Sequence, residues 1–315
     1  MAEKLSLNGL WKVDYLSPEP YLSEEQPAFD ILGQDQSISS VTPCRVPGYW
    51  EDQLDAFRLT SLHTKLHWNP LYTLQRYPQA GYVPDMALPN PVGCFVYQRT
   101  FRMPDQVLQH PTELRFGGVQ NTVSVWINGA YLGRHEGYSA EFFFPVPQGI
   151  LKAGENTIIM AVSNNRLAGY LGRPVSGLTS RAANECTGGI YGDVELRIYP
   201  DGLRDLWITT AEDLASFTVH TDGAEQTDRT VEILDGGHVL CTAVIAAGGT
   251  AVTVSSEGFR FWSPDEPKRY TAVVTTENQR LERKFGIRRL TVRGTKLYLN
   301  GEPYFFRGRI LQMKR

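Results

Sequence analysis

The stretch from 49 to 92, YWEDQLDAFRLTSLHTKLHWNPLYTLQRYPQAGYVPDMALPNPV, contains the side chains best suited to holding a sugar. Pyranose rings stack on indole and phenol faces, while amide and guanidinium groups hydrogen-bond their hydroxyls. Trp68, Asn69, Tyr72 and Arg76, within HWNPLYTLQRY, supply both kinds of contact in nine residues. A competing reading is that these aromatics seal an aperiodic segment against the body of the fold, since such a loop needs apolar anchors of its own. A segment this long without a sustained period is functional or a covering layer rather than a simple connection.

Other chemistries find less support. The six histidines show no H-E-x-x-H or other ligand spacing, and His135-Glu136 reads as part of a turn region rather than a zinc site. G-x-S-x-G, P-loop and dinucleotide-binding fingerprints are absent, and no cofactor is expected. Cys44, Cys94, Cys186 and Cys241 lie far apart without C-x-x-C spacing, so isolated thiols in a reducing cytoplasm are the expectation. The N-terminus has no apolar h-region, although a secreted form with its leader already removed would look the same. Net charge is only -3 with no Lys/Arg cluster, which argues against nucleic acid. No run approaches the roughly 18–20 apolar residues of a membrane span.

The elements that must position any site read as strands. In NTVSVWINGAYLGRHEG, Val123, Val125 and Ile127 share one strand face, Ser124 and Trp126 the other, and Asn128-Gly129 supplies a tight turn. In KAGENTIIMAVSNN both faces are apolar, which predicts a strand central to a sandwich. No convincing helical period occurs between residues 90 and 290. Residues 201–290 carry turns every 8–12 residues, as in a small sandwich of immunoglobulin size. YPDGLRD at 199–205 reads as the junction, and Asn300-Gly301 in LYLNGEPYFFRG as a hairpin turn. The chain is therefore expected to be all-β.

Nine segments in order carry a resemblance. They run from LNGLWKV, VPGYWED and VGCFVYQRTFRMP, through LRFGGVQNTVSVWINGAYLGRHEGYSAEFFFPV, LKAGENTIIMAVSNN and CTGGIYGDVELRIYP, to FWSPDEPKRYTAVV, RKFGIRRLTV and LYLNGEPYFFRG. Together, from about Leu7 to Gly308, they resemble the front half of the family 2 glycoside hydrolases, the β-galactosidase, β-mannosidase and β-glucuronidase superfamily. The resemblance implies a jelly-roll, galactose-binding-like β-sandwich over 1–200 and an immunoglobulin-like β-sandwich over 201–290. Residues 291–315 would form a hairpin and the start of a (β/α)8 barrel. A barrel takes on the order of 250 residues, so the chain reads as interrupted just after its entry. After Arg307-Gly308 it also departs from the family pattern. The family's usual Arg after Gly-Gly-Ile-Tyr is replaced by Gly192.

What the resemblance implies for chemistry follows from the barrel. Retaining glycoside hydrolysis needs two carboxyl groups about 5–5.5 Å apart, and in the family both are barrel glutamates. No catalytic residue is therefore assigned here. Asn184-Glu185 mimics the family's Asn-Glu pair, yet precedes CTGGIY in a β region. Asn184 or Glu185 could still touch sugar, because a loop at this place in relatives reaches toward the active site. Trp11, Trp50, Trp126 and Trp262 fall in recurrent segments and are expected in cores. The implied partners are a β-glycoside carbohydrate in the complete enzyme and the catalytic barrel, with a homo-oligomer left open. A stand-alone lectin-like module and an assembly domain are the alternatives. The barrel reading predicts an apolar docking patch, the lectin-like reading a concave face with exposed Trp or Tyr, and the assembly reading dimers or larger species.

Overall fold

A computed structural model describes residues 3–17, 42–53, 94–120, 122–137, 140–163, 188–306 and 308. Among these there are strands and two short 3-10 turns, Glu51–Gln53 and Asp105–Val107, and no α-helix. The chain divides into two units, Lys4–Ile198 and Tyr199–Arg315 with Met1–Glu3.

The first unit is built on a six-stranded sheet. Its order is Thr42–Val46, Gly9–Ser17, Cys94–Met103, Gly154–Ser163, Thr122–Ile127 and Ala130–Glu136. A four-stranded sheet runs Glu3–Ser6, Val194–Ile198, Thr112–Phe116 and Phe142–Val146. Alternation decides which side chains meet between them. Val123, Val125 and Ile127, with Ile158, Met160 and Val162, enter one core with Leu114, Phe116 and Leu196. The Gly154–Ser163 strand pairs antiparallel on both sides, with Cys94–Met103 and Thr122–Ile127. That central place explains its apolar second face, where Ile159 and Ala161 are also buried. Trp126 and Ser124, on the outer face of the neighbouring strand, are buried too. His135 and Glu136 lie in the Ala130–Glu136 strand rather than in a turn, and the His135 ring stacks on Phe142 at 3.6 Å.

Two asparagines fix the turns of this sheet. Asn128 takes φ 49°, a conformation Asn tolerates beside Gly. Its amide donates to Ile150 O and to Asn156 Oδ1, both at 2.8 Å, and its Oδ1 accepts from Thr157 N at 2.9 Å. Asn156 is 1% exposed and bonds Lys152 through both N–H and carbonyl, each at 2.8 Å. It is a buried polar side chain with its capacity filled, and so stabilises rather than strains the core.

The second unit contains a three-stranded sheet, Asp205–Thr210, Ser216–Asp222 and Ala251–Ser255. A four-stranded sheet runs His238–Ile245, Arg229–Asp235, Tyr270–Thr275 and Arg280–Phe285. Phe217, Val219, Val231, Ile233, Ala272, Val274 and Ile287 form its core. Gln279, 2% exposed, plays the part Asn156 plays in the first unit. Its Oε1 accepts from Asp201 N at 2.8 Å and Leu203 N at 3.0 Å, and its amide donates to Leu203 O at 3.1 Å. Arg229 is fully buried and turns its guanidinium onto the carbonyls of Gly223, Ala224, Ala246 and Gly249, holding two turns together. A third sheet, Leu290–Arg293, Lys296–Leu299 and Glu302–Tyr304, includes the Asn300-Gly301 hairpin.

Asn156→Ala removes the acceptor of one Asn128 amide N–H, whose partner N–H keeps Ile150 O, and the acceptor of the Lys152 peptide N–H, both partly buried. An orphaned buried group costs about 1–3 kcal/mol, so a loss of about 2 kcal/mol or more is expected in denaturant unfolding, against a near-neutral Lys152→Ala.

Candidate functional site

In the first unit the chain passes out of the described region after Gln53 and after Ser163, and returns at Cys94 and Gly188. One seam joins the ends of these excursions. Gly48–Tyr49 pairs with Gly189–Ile190, and Trp50 N donates to Gly188 O at 2.9 Å. Gln53 closes the outer side by donating to the carbonyls of Arg45 and Tyr49, each at 3.1 Å.

Trp50 is the floor of the seam. Its indole is fully buried, lies 4.0 Å from the Phe95 ring and donates through Nε1 to the Tyr97 hydroxyl. The same hydroxyl receives the Cys44 thiol at 3.7 Å, and burial pushes that thiol's pKa up to about 12. Cys44 is therefore an inert packing group. A Cβ on Gly188 would sit 2.0 Å from the Trp50 ring, so the indole admits only glycine at 188. Beside it Tyr191 stacks on Tyr49 at 5.2 Å and lies so close to Gly118 that a Cβ there would be 2.4 Å from its ring. Gly192 N donates to Gly118 O at 3.0 Å, and a Cβ on Gly192 would fall 2.2 Å from Gly118 N. The glycine that stands where the family pattern has arginine is thus demanded by this backbone crossing. The sequence carried the Gly-Gly signal but not the partner that makes it necessary.

Trp68, Asn69, Tyr72, Arg76, Asn184 and Glu185 all lie outside the described residues. Of the tryptophans expected in cores, Trp11, Trp50 and Trp126 are buried. Trp262 is only half-buried and lines a surface cavity instead.

A glycosidase acid needs a carboxyl pKa raised toward neutrality. Among the described residues the shifted carboxyls move the other way. Glu141 is held below the usual range by a hydrogen bond from Arg115, with Arg197 and Lys4 adding to the field. Asp222 is held low by Arg204, which grips it through two bonds of 2.9 and 2.8 Å. Such carboxylates are committed to ion pairs. No group of three or more His, Cys, Asp and Glu side chains converges among the described residues.

The second unit offers a surface of another kind. Phe305 is 81% and Phe306 56% exposed, and Leu290, Val292 and Phe261 also stand in solvent. The hairpin that carries this surface is fastened, not loose. Asn300 Oδ1 accepts from Arg289 N at 2.9 Å, its amide donates to Trp262 O at 3.0 Å, and its own N–H bonds Arg289 O at 2.8 Å. The Arg288 guanidinium sits 4.4 Å over the Trp262 ring, and Arg289 donates to Thr210 O at 3.3 Å. A cavity of about 400 Å³ lies between Trp262, Arg288, Leu290, Leu299, Tyr304 and Phe306. A second, of about 620 Å³, lies against Pro264, Asn300, Pro303 and Phe305. An apolar face held on rigid hydrogen bonds can take a packed partner at small conformational cost.

The profile described as "Glycosyl hydrolases family 2, sugar binding domain" matches residues 5–200, and that described as "Glycosyl hydrolases family 2" matches 202–288. A β-galactosidase of Arthrobacter sp. (strain B7) is 26% identical over 98% of this chain and 29% of its own length. One from Leuconostoc mesenteroides is 27% identical over 96% of this chain and 29% of that protein. The chain thus spans about 30% of the length of the curated relatives it matches. Among solved structures, a β-glucuronidase of Faecalibacterium prausnitzii superposes with TM-score 0.66 at 24% identity, over 98% of this chain and 50% of that one. A Bifidobacterium dentium β-glucuronidase complexed with coumarin-3-O-glucuronide gives 0.65 at 23%, over 97% and 51%. These two similarities establish the fold.

Gly192→Ala forces a methyl group into the Gly117–Gly118 backbone. Overpacking of this kind costs about 1–3 kcal/mol. Denaturant unfolding should show a loss at the upper end of that range, and Gly192→Arg should be worse despite matching the family pattern.

Acid titration checks the Glu141 pair. Its carboxyl is depressed in the folded state, so its stabilisation is present above the ordinary carboxylate pKa and is lost as pH falls through the depressed one. Between about pH 5 and pH 3 the thermal midpoint should fall further in the wild type than in Arg115→Met, by a small margin because Glu141 is half exposed.

Proposed function

The chain belongs to the glycosyl hydrolases of family 2, and from that premise we propose that it acts as the non-catalytic front region of a retaining β-glycosidase. The whole protein would hydrolyse a terminal β-linked sugar, with β-galactoside favoured because the curated relatives are β-galactosidases. Nucleophile and acid/base would be carboxyl groups of a (β/α)8 barrel. The residues present here would brace that barrel. Their own shifted carboxyls are bound to arginines and depressed, which suits structure rather than proton transfer.

The observation that carries the reading is the exposed Phe305-Phe306 face, anchored through Asn300 to Trp262 and Arg289. Two phenyl rings in water form a poor surface for an isolated unit and a good one for a barrel to cover. Sugar contact by Trp68, Asn69, Tyr72, Arg76, Asn184 or Glu185 remains part of the proposal, supported by residue type for the first four and by the family resemblance for Asn184 and Glu185. A reducing, cytoplasmic setting is proposed with it, supported by the free thiols of Cys44 and Cys241.

The test has two arms. The 315-residue chain should leave aryl β-galactoside and aryl β-glucuronide uncleaved, and turnover above background would contradict the non-catalytic reading. Phe305→Ser with Phe306→Ser should leave the stability of this chain within about 0.5 kcal/mol. When a family 2 barrel follows in the same polypeptide, the pair should cost about 3 kcal/mol or more, since two phenyl groups would then lose their burial.

A further inference from the structure

The His238–Ile245 strand forms one edge of the four-stranded sheet in the second unit. Among the described residues no strand pairs with its outer side. An open edge invites pairing with another chain, and proteins commonly blunt one with charge, proline or a covering segment. The strand at the opposite edge, Arg280–Phe285, carries Arg280, Glu282, Arg283 and Lys284. His238–Ile245, HVLCTAVI, carries no Lys, Arg, Asp, Glu or Pro. Instead it holds Val239, Leu240 and Val244 in solvent at 50%, 49% and 54% exposure.

A register slip lies between Ile233 and Leu234, which pair with Cys241 and Val239 and leave Leu240 as the extra residue. From Cys241 to Ile245 the ladder is regular against Arg229–Ile233. That five-residue stretch is available for a further strand, and its middle is Ala243. Ala251–Ser255, the edge strand of the three-stranded sheet, lies beside it and is equally free of charge.

We propose that this edge pairs antiparallel with the same edge of a second copy of the chain, about a two-fold axis at Ala243. An axis at the middle of the regular Cys241–Ile245 ladder fixes the register. It sets Thr242 against Val244 twice, Cys241 against Ile245 twice, and Ala243 against itself. Thr–Val is a favourable β-branched cross-strand pair, and no like charges meet. A two-fold, isologous contact closes with two subunits, the commonest arrangement for a homo-oligomer. The two four-stranded sheets become one continuous eight-stranded sheet, and Val244 of each copy is covered.

Sedimentation and light scattering on the 315-residue chain test this. The wild type should run at twice its 35.4 kDa mass. Thr242→Lys with Val244→Lys places ammonium groups opposite one another at both outer pairs, and should run as a single chain at the same concentration. Thr242→Lys with Val244→Glu places opposite charges there, and should recover the doubled mass. Both positions are exposed and the introduced ammonium at 242 faces Glu232 of its own chain, so all three proteins should share one circular dichroism spectrum. A single-chain wild type overturns the proposal. So does a Lys/Lys variant that stays doubled, which would place the contact elsewhere, or a Lys/Glu variant that stays single, which would refute the register.

Discussion

The first unit depends on one contact, the face of the Trp50 indole against the bare backbone of Gly188. That contact leaves no room for a side chain at 188, and the indole is held in place by Phe95 and the Tyr97 hydroxyl. Because Trp50 N also bonds Gly188 O, the indole and the backbone pairing enforce the same approach. Gly118 under Tyr191 and Gly192 against Gly118 extend the approach to the neighbouring crossing. Three glycines and one tryptophan thereby bring the Gly48–Gln53 segment, the Gly117–Gly118 turn and the Gly188–Gly192 segment into one fixed crossing.

The second unit solves a different problem. Its hairpin at Lys296–Tyr304 buries little of its own, and would be marginal as an isolated element. Asn300 supplies what burial does not, through three hydrogen bonds to Trp262 and Arg289. The result is a stiff platform with apolar groups facing water. We read this as a surface for a partner, since the resemblance of LYLNGEPYFFRG implies a barrel after such a hairpin. The chemistry of glycoside cleavage would then belong to the barrel, while these β units set where it sits.

Much of this was legible in the sequence. The alternation at Val123, Val125 and Ile127 and the doubly apolar Ile158–Val162 run correctly located a sheet face and a central strand, because strand period and burial follow directly from side-chain type. The Asn-Gly turns were legible for a similar reason, since few residues tolerate their backbone angles. Trp262 was misjudged as core: its segment resembles a core element, but its ring ends at a cavity rim under Arg288. The need for Gly192 was also hidden, because a close approach is set by a partner more than seventy residues away in sequence, at Gly117 and Gly118. Asn300 was read as a turn former only, and its anchoring role depends on tertiary partners that no local pattern encodes. The sugar-site residues Trp68, Asn69, Tyr72, Arg76, Asn184 and Glu185 lie outside the described residues.

The central claim is that the Leu290–Phe306 face is a docking surface for a catalytic barrel. Amide hydrogen exchange measured on this chain alone, and on the same chain continued into a family 2 barrel, addresses it most directly. The account predicts that the barrel slows exchange across Leu290–Phe306 while the Trp50–Gly188 seam stays unchanged. Equal exchange over Leu290–Phe306 in the two proteins would contradict it.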